Sequence, residues 1–364
     1  MALEPITRAE QIMSGESLEP ITREEMFLAK AAGMDVNTPK PITRREMFLS
    51  KISGGGGGSG GGDSWIGDGN THVWISLTEG RTSPMLGCCP NGTVTVDWGD
   101  GTAPDVLTGT STTTVKWTPT HNYASAGDYV ITLTVDGEMG FYGDDFNNQY
   151  SGILRYASDA DNRNLAYLIA VKKVEIGNGV TNICEYAFEN CRSMSSIAIP
   201  GGVTSISDKA FRYCYSLSSV EMQDGVTSIG YSVFQYCCSL PRIIIPDSVT
   251  SIGSYAFQYC YALSSVKIPD GVTSINMNAF DSCYNITSIK IPGSVTSIDA
   301  YAFQYCVGVR YYDFTASTSV PSLSSGSAFN YIAKDCQMRI PAALYDEWSA
   351  ATNWAQFASY MVAV

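Results

Sequence analysis

From Val180 to about Thr315 the apolar and polar positions recur every 23 residues, six times over, with no insertion or deletion. The phrase reads V-T-[SN]-I-x-x-x-[AV]-F-x-x-C-x-x-[LMIV]-x-x-[IV], followed in most copies by x-[IM]-P-x-x. Its valines are Val180, Val203, Val226, Val249, Val272 and Val295; its phenylalanines are Phe188, Phe211, Phe234, Phe257, Phe280 and Phe303; its cysteines are Cys191, Cys214, Cys237, Cys260, Cys283 and Cys306. A period of this length makes one supersecondary unit per repeat, which buries its apolar side only by stacking on its neighbours, so the stretch is a solenoid. Within one unit Ser265-Val266-Lys267-Ile268-Pro269 alternates as a strand does, and Val249-Thr250-Ser251-Ile252 predicts a second short extended piece. Between such pieces Ala256, Phe257 and Cys260 have the spacing of a helical turn and point to one side. Stacking at ~4.8 Å per coil makes a slab about 30 Å long with Val, Ile, Phe and Cys in continuous internal ladders.

The phrase Ser251-Ile252-Gly253-Ser254-Tyr255-Ala256-Phe257, repeated across all six copies, resembles the BspA-type leucine-rich repeats. The Asn-ladder pattern L-x-x-L-x-L-x-x-N is absent from the six copies. The ligand rules of horseshoe receptors are therefore not carried over.

Upstream, residues 63–137 alternate as β-structure: Thr93 to Trp98, a Gly99-Asp100-Gly101 turn, and Tyr129 to Val135. The segments Val96-Asp97-Trp98-Gly99-Asp100-Gly101-Thr102 and His121-Asn122-Tyr123 to Tyr129 resemble the PKD domain. That resemblance implies an immunoglobulin-like β-sandwich serving as spacer or contact module. Asp97 and Asp100 are then turn-capping residues and His121 a hydrogen-bonded fold residue. Residues 138–179 are expected to cap the solenoid at its N-terminal end. Residues 316–364, with Trp348, Trp354 and Phe357 at helical spacings, are expected to form a helical cap at the other end.

Residues 1–52 carry a shorter repeat: Pro5-Ile6-Thr7-Arg8, Pro20-Ile21-Thr22-Arg23 and Pro41-Ile42-Thr43-Arg44. Each has Thr three residues before Glu, the capping-box spacing that starts a helix. Helices this short are marginal alone, so each phrase is expected to order by docking into a groove of a partner. The docking residues are Ile21, Thr22, Arg23, Phe27 and Leu28, and their counterparts Ile42, Thr43, Arg44, Phe48 and Leu49. The alternative is a small self-packed helical cap. Residues 53–62, nearly all glycine, are a flexible tether. The expected fold is thus mainly β: short N-terminal helical anchor segments, a sandwich, then a leucine-rich solenoid over residues 180–315.

Composition narrows the function. A net charge of −13 with 16% charged residues, and no Lys/Arg cluster, argues against a nucleic-acid surface. No apolar run approaches the ~18 residues of a membrane span, and the first residues have neither basic nor apolar regions of an export signal. Of 11 cysteines, six occupy one repeat position where a small thiol packs well, and no C-x-x-C occurs, so zinc is not expected and the ladder thiols are read as free. No cofactor is expected. With two histidines and no nucleophile elbow, P-loop or H-E-x-x-H, the chain reads as a non-enzyme.

Recognition remains. Tyr213, Tyr236, Tyr259 and Tyr305 share the position before the ladder cysteine, and Tyr215, Tyr261 and Tyr284 the position after it. Rows of tyrosine are a binding composition, and Gln235, Gln258 and Gln304 beside them suit sugar hydroxyls or a protein ligand. The competing reading is that these tyrosines shield the coil. The outward strand positions Ala198, Glu221, Ile244, Lys267 and Lys290 are a second candidate stripe. The Pro-Ile-Thr-Arg phrases resemble N-terminal segments of head- or tail-associated proteins of phages of gut bacteria. That resemblance implies a virion-surface protein, assembled in the host cytoplasm. Residues 1–52 would hold it to capsid, portal or tail, and the solenoid would present itself to a host glycan or protein, with room for self-association. The alternative is a bacterial or protist BspA-like surface adhesin.

Overall fold

The period-2 segments of each coil become two ladders of short parallel strands. In one ladder the V-T-S-I segments Ser205–Ile206, Ser228–Ile229 and Ser251–Ile252 align position for position, Ser205 beside Ser228 and Ile206 beside Ile229. In the other, Ser219–Met222 lies beside its equivalent one coil earlier, Val220 against Ile197. Strand alternation sends Ile206, Ile229, Val220 and Ile243 inward, where each is less than 8% exposed. The computed structural model describes residues 68–77, 83–113, 115–143, 154–156 and 169–364. The Pro-Ile-Thr-Arg phrases and the glycine tether lie outside the described residues.

The third side of each coil departs from the expected helical turn. Ala256, Phe257 and Cys260 do point into the core, each 0% exposed, but the backbone between them is a chain of turns with two left-handed residues per coil. These are Tyr255 (φ 61°) and Tyr259 (φ 60°), with equivalents throughout the stack. The amides alternate in direction. Phe257 donates to Ala279 O at 2.8 Å and Tyr259 to Asp281 O at 3.0 Å in the next coil, whereas Gln258 and Cys260 donate within their own coil. A helix would have satisfied every amide locally. The left-handed residues turn every second one along the axis, so all three sides of a coil are bonded to the next.

Inside, Phe141, Phe188, Phe211, Phe234, Phe257, Phe280, Phe303 and Phe329 form one column with neighbouring ring centroids 5.1–5.6 Å apart. Beside it the ladder thiols from Cys214 to Cys306 each donate to a phenylalanine carbonyl of the preceding coil: Cys214 to Phe188 O at 3.1 Å, Cys260 to Phe234 O at 3.2 Å, Cys306 to Phe280 O at 3.1 Å. The described cysteines are free thiols.

Burial pushes the Cys191 thiol from 9.0 up to about 12 and raises Cys214, Cys237, Cys260 and Cys283 in the same direction. The folded chain keeps these protons after the unfolded chain has released them. Their contribution to stability is therefore whole below about pH 9 and declines as pH rises toward 12. Thermal melts at about pH 8 and about pH 10.5 are expected to show a lower Tm at the higher pH, with a smaller drop in Cys260→Ala. At neutral pH that substitution should itself cost about 1–2 kcal/mol.

At the N-terminal end the antiparallel strands β1 (Thr71–Leu77), β2 (Pro84–Asp97), β3 (Asp105–Thr110), β4 (Lys116–Trp117) and β5 (Gly127–Phe141) pair around a core of Val94, Val96, Trp98, Ile131 and Leu133. Trp98 stacks on His121 at 4.5 Å and donates to Asp105, while Tyr123 donates to Trp98 O. Asp97 and Asp100 accept the amides of Gly99 and Thr102, the turn-capping role read from sequence, and His121 meets Asp100 at 2.9 Å.

This sheet does not stop at residue 137. β5 continues to Phe141 and changes partner along one edge, from antiparallel β1 at residues 127–133 to parallel β8 (Val180–Ile183) at residues 139–141. β6 (Leu154–Tyr156) pairs with β2, and β7 (Ile169–Glu175) joins β1 on one side to the solenoid strand β9 (Ser196–Ile199) on the other. β1 and β5 thereby link the two solenoid ladders in a single sheet, and Gly69–Val364 forms one compact unit.

At the other end the cap is helical only in part. The helix α1 (Tyr345–Ala350) buries Trp348, and a 3-10 turn Ala355–Tyr360 buries Phe357, but Gln337–Ile340 and Met361–Ala363 add two more parallel strands to the ladder. Trp348 and Trp354 pack edge-on against Phe314, closing the core.

Candidate recognition surface

Tyrosine before the ladder cysteine is one of the two left-handed positions: Tyr213 (φ 62°), Tyr236 (62°), Tyr259 (60°) and Tyr305 (56°). A non-glycine residue there costs about 1–3 kcal/mol, which the inter-coil amide bonds of the same residues offset. Their stacking puts the rings in contact. Tyr213 and Tyr236 lie 5.0 Å apart and Tyr236 and Tyr259 4.5 Å apart, both pairs at 29°. Ser282 ends that run, and Tyr305 pairs instead with Tyr331, at 4.4 Å and 3°. Tyr261 stacks on Tyr284 at 5.2 Å, while Tyr215, 5% exposed, is tucked beneath the ridge with Arg192 over its ring. The seven sequence-predicted tyrosines thus gather on one side of the solenoid. Their inner ring faces cover one another, so the ridge offers ring edges and hydroxyls rather than flat faces to a ligand.

Two of the three glutamines have another role. Gln235 donates to Gln258, and Gln258 to Asp281 at 2.7 Å; Asn278 and Ser282 donate to the same carboxylate. This ladder lies beneath the tyrosines, with Gln258 6% and Asp281 4% exposed. Burial raises the Asp281 carboxyl above its usual range against the three hydrogen bonds that lower it. Gln304 Oε1 is buried with no hydrogen-bond partner. Upstream, Glu189 and Arg212 form an ion pair at the same repeat position. The position is polar in every copy, a signal the sequence carried but that does not distinguish an inter-coil ladder from a ligand contact.

A second ridge escaped the sequence reading. Four residues before the first, at the other left-handed position or next to it, stand Tyr186, Lys209, Tyr231, Tyr255, Met277 and Tyr301. Lys209 Nζ lies 4.8 Å over the Tyr186 ring, Tyr231 meets Tyr255 at 5.2 Å, and Tyr255 donates to Met277 Sδ. Tyr231, Met277 and Tyr301 are 40–42% exposed. The docking residues expected between Ile21 and Leu49 lie outside the described residues.

Residues 162–283 and 227–334 match the family described as BspA type leucine rich repeat region, in 6 copies. No curated protein matches the chain. Among solved structures, a Treponema pallidum leucine-rich repeat protein is 27% identical over 42% of this chain and 73% of its own, with a TM-score of 0.41. A leucine-rich repeat protein of Bacteroides ovatus is 23% identical over 57% of this chain and 64% of its own, TM-score 0.36. A leucine-rich cell surface protein of Faecalibacterium prausnitzii is 24% identical over 48% and 74%, TM-score 0.21.

Proposed function

We propose, for a chain whose residues 162–334 are BspA-type leucine-rich repeats, that it is a non-enzymatic surface adhesin and that the turn side of its solenoid is the binding face. The observation that carries this reading is the stacked Tyr213-Tyr236-Tyr259 ridge. It sets large amphipathic side chains on a support whose coils are hydrogen-bonded on all three sides, and tyrosine held rigid is the residue type that supplies binding hot spots. The exposed second ridge broadens the same face. The N-terminal strands β1 to β5, continuous with the solenoid ladders, act as a rigid base for it.

The test uses Tyr236→Ser with Tyr259→Ser. Serine already occupies the two left-handed positions at Ser232 and Ser282, so the backbone tolerates it. Each lost ring pair costs about 0.5–1.5 kcal/mol of stability. Attachment to target cells is expected to fall about tenfold or more while the protein stays folded. Tyr236→Phe with Tyr259→Phe keeps the stack and reports the hydroxyls alone. Unchanged attachment by the folded serine pair would remove the ridge from the binding face.

One observation favours a second carrier for the same head. Three Pro-Ile-Thr-Arg phrases before a glycine tether suit several equivalent docking sites on a virion, with avidity compensating for weak single contacts. Co-sedimentation with assembled particles, lost on deleting residues 1–52, separates this carrier from a cell envelope.

A further inference from the structure

Every lysine and arginine after residue 219 is confined to one side of the solenoid. These are Arg242, Lys267, Lys290, Arg310, Lys334 and Arg339. Arg242, Lys267, Lys290 and Arg339 stand on the outward positions of the second strand ladder, and Arg310 and Lys334 sit in the turns that lead into it. They share that side with Glu221, Asp224, Asp247, Asp270, Asp313 and Asp335, and Arg310 is paired with Asp335, so in a chain of net charge −13 this is where basic groups gather rather than a face of net positive charge.

The register fixes how the cations are spaced. Ile244 lies beside Lys267 in one row, and Lys290, Asp313 and Arg339 follow in the same row, one coil apart. One coil is ~4.8 Å, so the row from Ile244 to Arg339 is about 20 Å long. Two of the acids near it are engaged: Asp247 binds Lys267 at 2.7 Å and Asp313 accepts from Thr315. The Lys267 pair is 62% and 72% exposed, a class of contact that holds a lysine weakly and leaves it to an incoming anion. Asp224, Asp247 and Asp270 share one loop position, and glycine replaces them at Gly293, next to Lys290.

We propose that this strand face binds an acidic glycan, its carboxylates meeting Arg242, Lys267 and Lys290. A polypeptide fits less well. The strand amides are spent on the ladder, so no partner strand adds to the face, and its large exposed apolar side chains, Ile244 and Val362, stand apart at opposite ends of the row with the cations between them. What surrounds the cations is hydroxyl: Ser265 and Ser288 in the neighbouring row, and Tyr311 held under Arg339 at 4.0 Å. Fixed cations among hydroxyls on a flat support match a hydrated polymer that carries a charge on each repeat. The site is separate from the tyrosine ridges and does not depend on them.

Fluorescein-labelled oligogalacturonate, titrated into the full chain and followed by anisotropy, tests this. Binding is expected at low ionic strength and should weaken steeply between about 0.05 and 0.5 M salt. Arg242→Ser, Lys267→Ser and Lys290→Ser together should weaken it about tenfold or more. Glu221→Lys, which adds a cation to the same row, should tighten it, and this arm stands even where the triple variant folds poorly. The Tyr236→Ser, Tyr259→Ser pair should bind as wild type, so failure of the glycan site and failure of the ridge are read separately. Equal binding of polyglutamate would make the partner a polypeptide. Equal binding of a neutral β-glucan, or wild-type affinity in the triple variant with no gain from Glu221→Lys, would overturn the proposal.

Discussion

Phe257→Ala is expected to cost about 3–5 kcal/mol, a large share of the ~5–15 kcal/mol that holds a domain together. Phe257 is 0% exposed and stacked on both sides, 5.4 Å from Phe234 and 5.3 Å from Phe280. Its carbonyl also accepts the Cys283 thiol of the next coil at 3.2 Å. Truncation therefore opens a cavity at the centre of the column and loosens two interfaces at once, and repeat arrays transmit such a loss to their neighbours. Urea unfolding followed by near-UV circular dichroism should show a lower midpoint. A split into two transitions would place the break between the coils on either side. A midpoint within experimental error of wild type would mean that the phenylalanine column is not what holds the coils together.

A chain that begins at residue 142 is expected not to reach a cooperative fold. It lacks β1 and β5, which link the two ladders, and Phe141, which covers the outer face of Phe188 at 5.1 Å. The exposed edges would be β7, with Val171 and Val174, and β8, with Val180 and Ile183, all at most 4% exposed in the intact chain. Unpaired apolar edges of this kind recruit other chains, so aggregation is the expected fate. A chain that begins at residue 69 retains the whole unit and should melt as the full-length protein does. Hydrogen exchange separates the outcomes: full protection of Ile206 and Ile229 amides in the shorter chain would mean that the solenoid caps itself.

The repeat made much of this fold legible from residues alone. A 23-residue period with Val, Ile, Phe and Cys at set positions can bury those side chains in only one way, by stacking coil on coil, and burial of Val249, Ile252, Phe257 and Cys260 follows. The tyrosine row was legible for the same reason, because a shared repeat position becomes a shared line in space.

What the sequence could not express is which neighbour satisfies a polar group. Gln258 reads equally as a ligand contact and as a ladder rung; only the 2.7 Å approach of Asp281, 23 residues away, decides it. The turn side reads as a helix because the inward spacing of Ala256, Phe257 and Cys260 is helical, while the left-handed Tyr255 and Tyr259 that redirect the amides leave no mark in hydrophobicity. The phrases of residues 63–137 resemble a self-contained sandwich, yet β5 exchanges β1 for β8 along one edge, a pairing that depends on what lies beside Phe141 rather than on Phe141 itself. Periodicity determines what each residue buries, a property local to the repeat. Hydrogen-bond partners and sheet neighbours belong to pairs distant in sequence, and the tertiary structure alone brings those together.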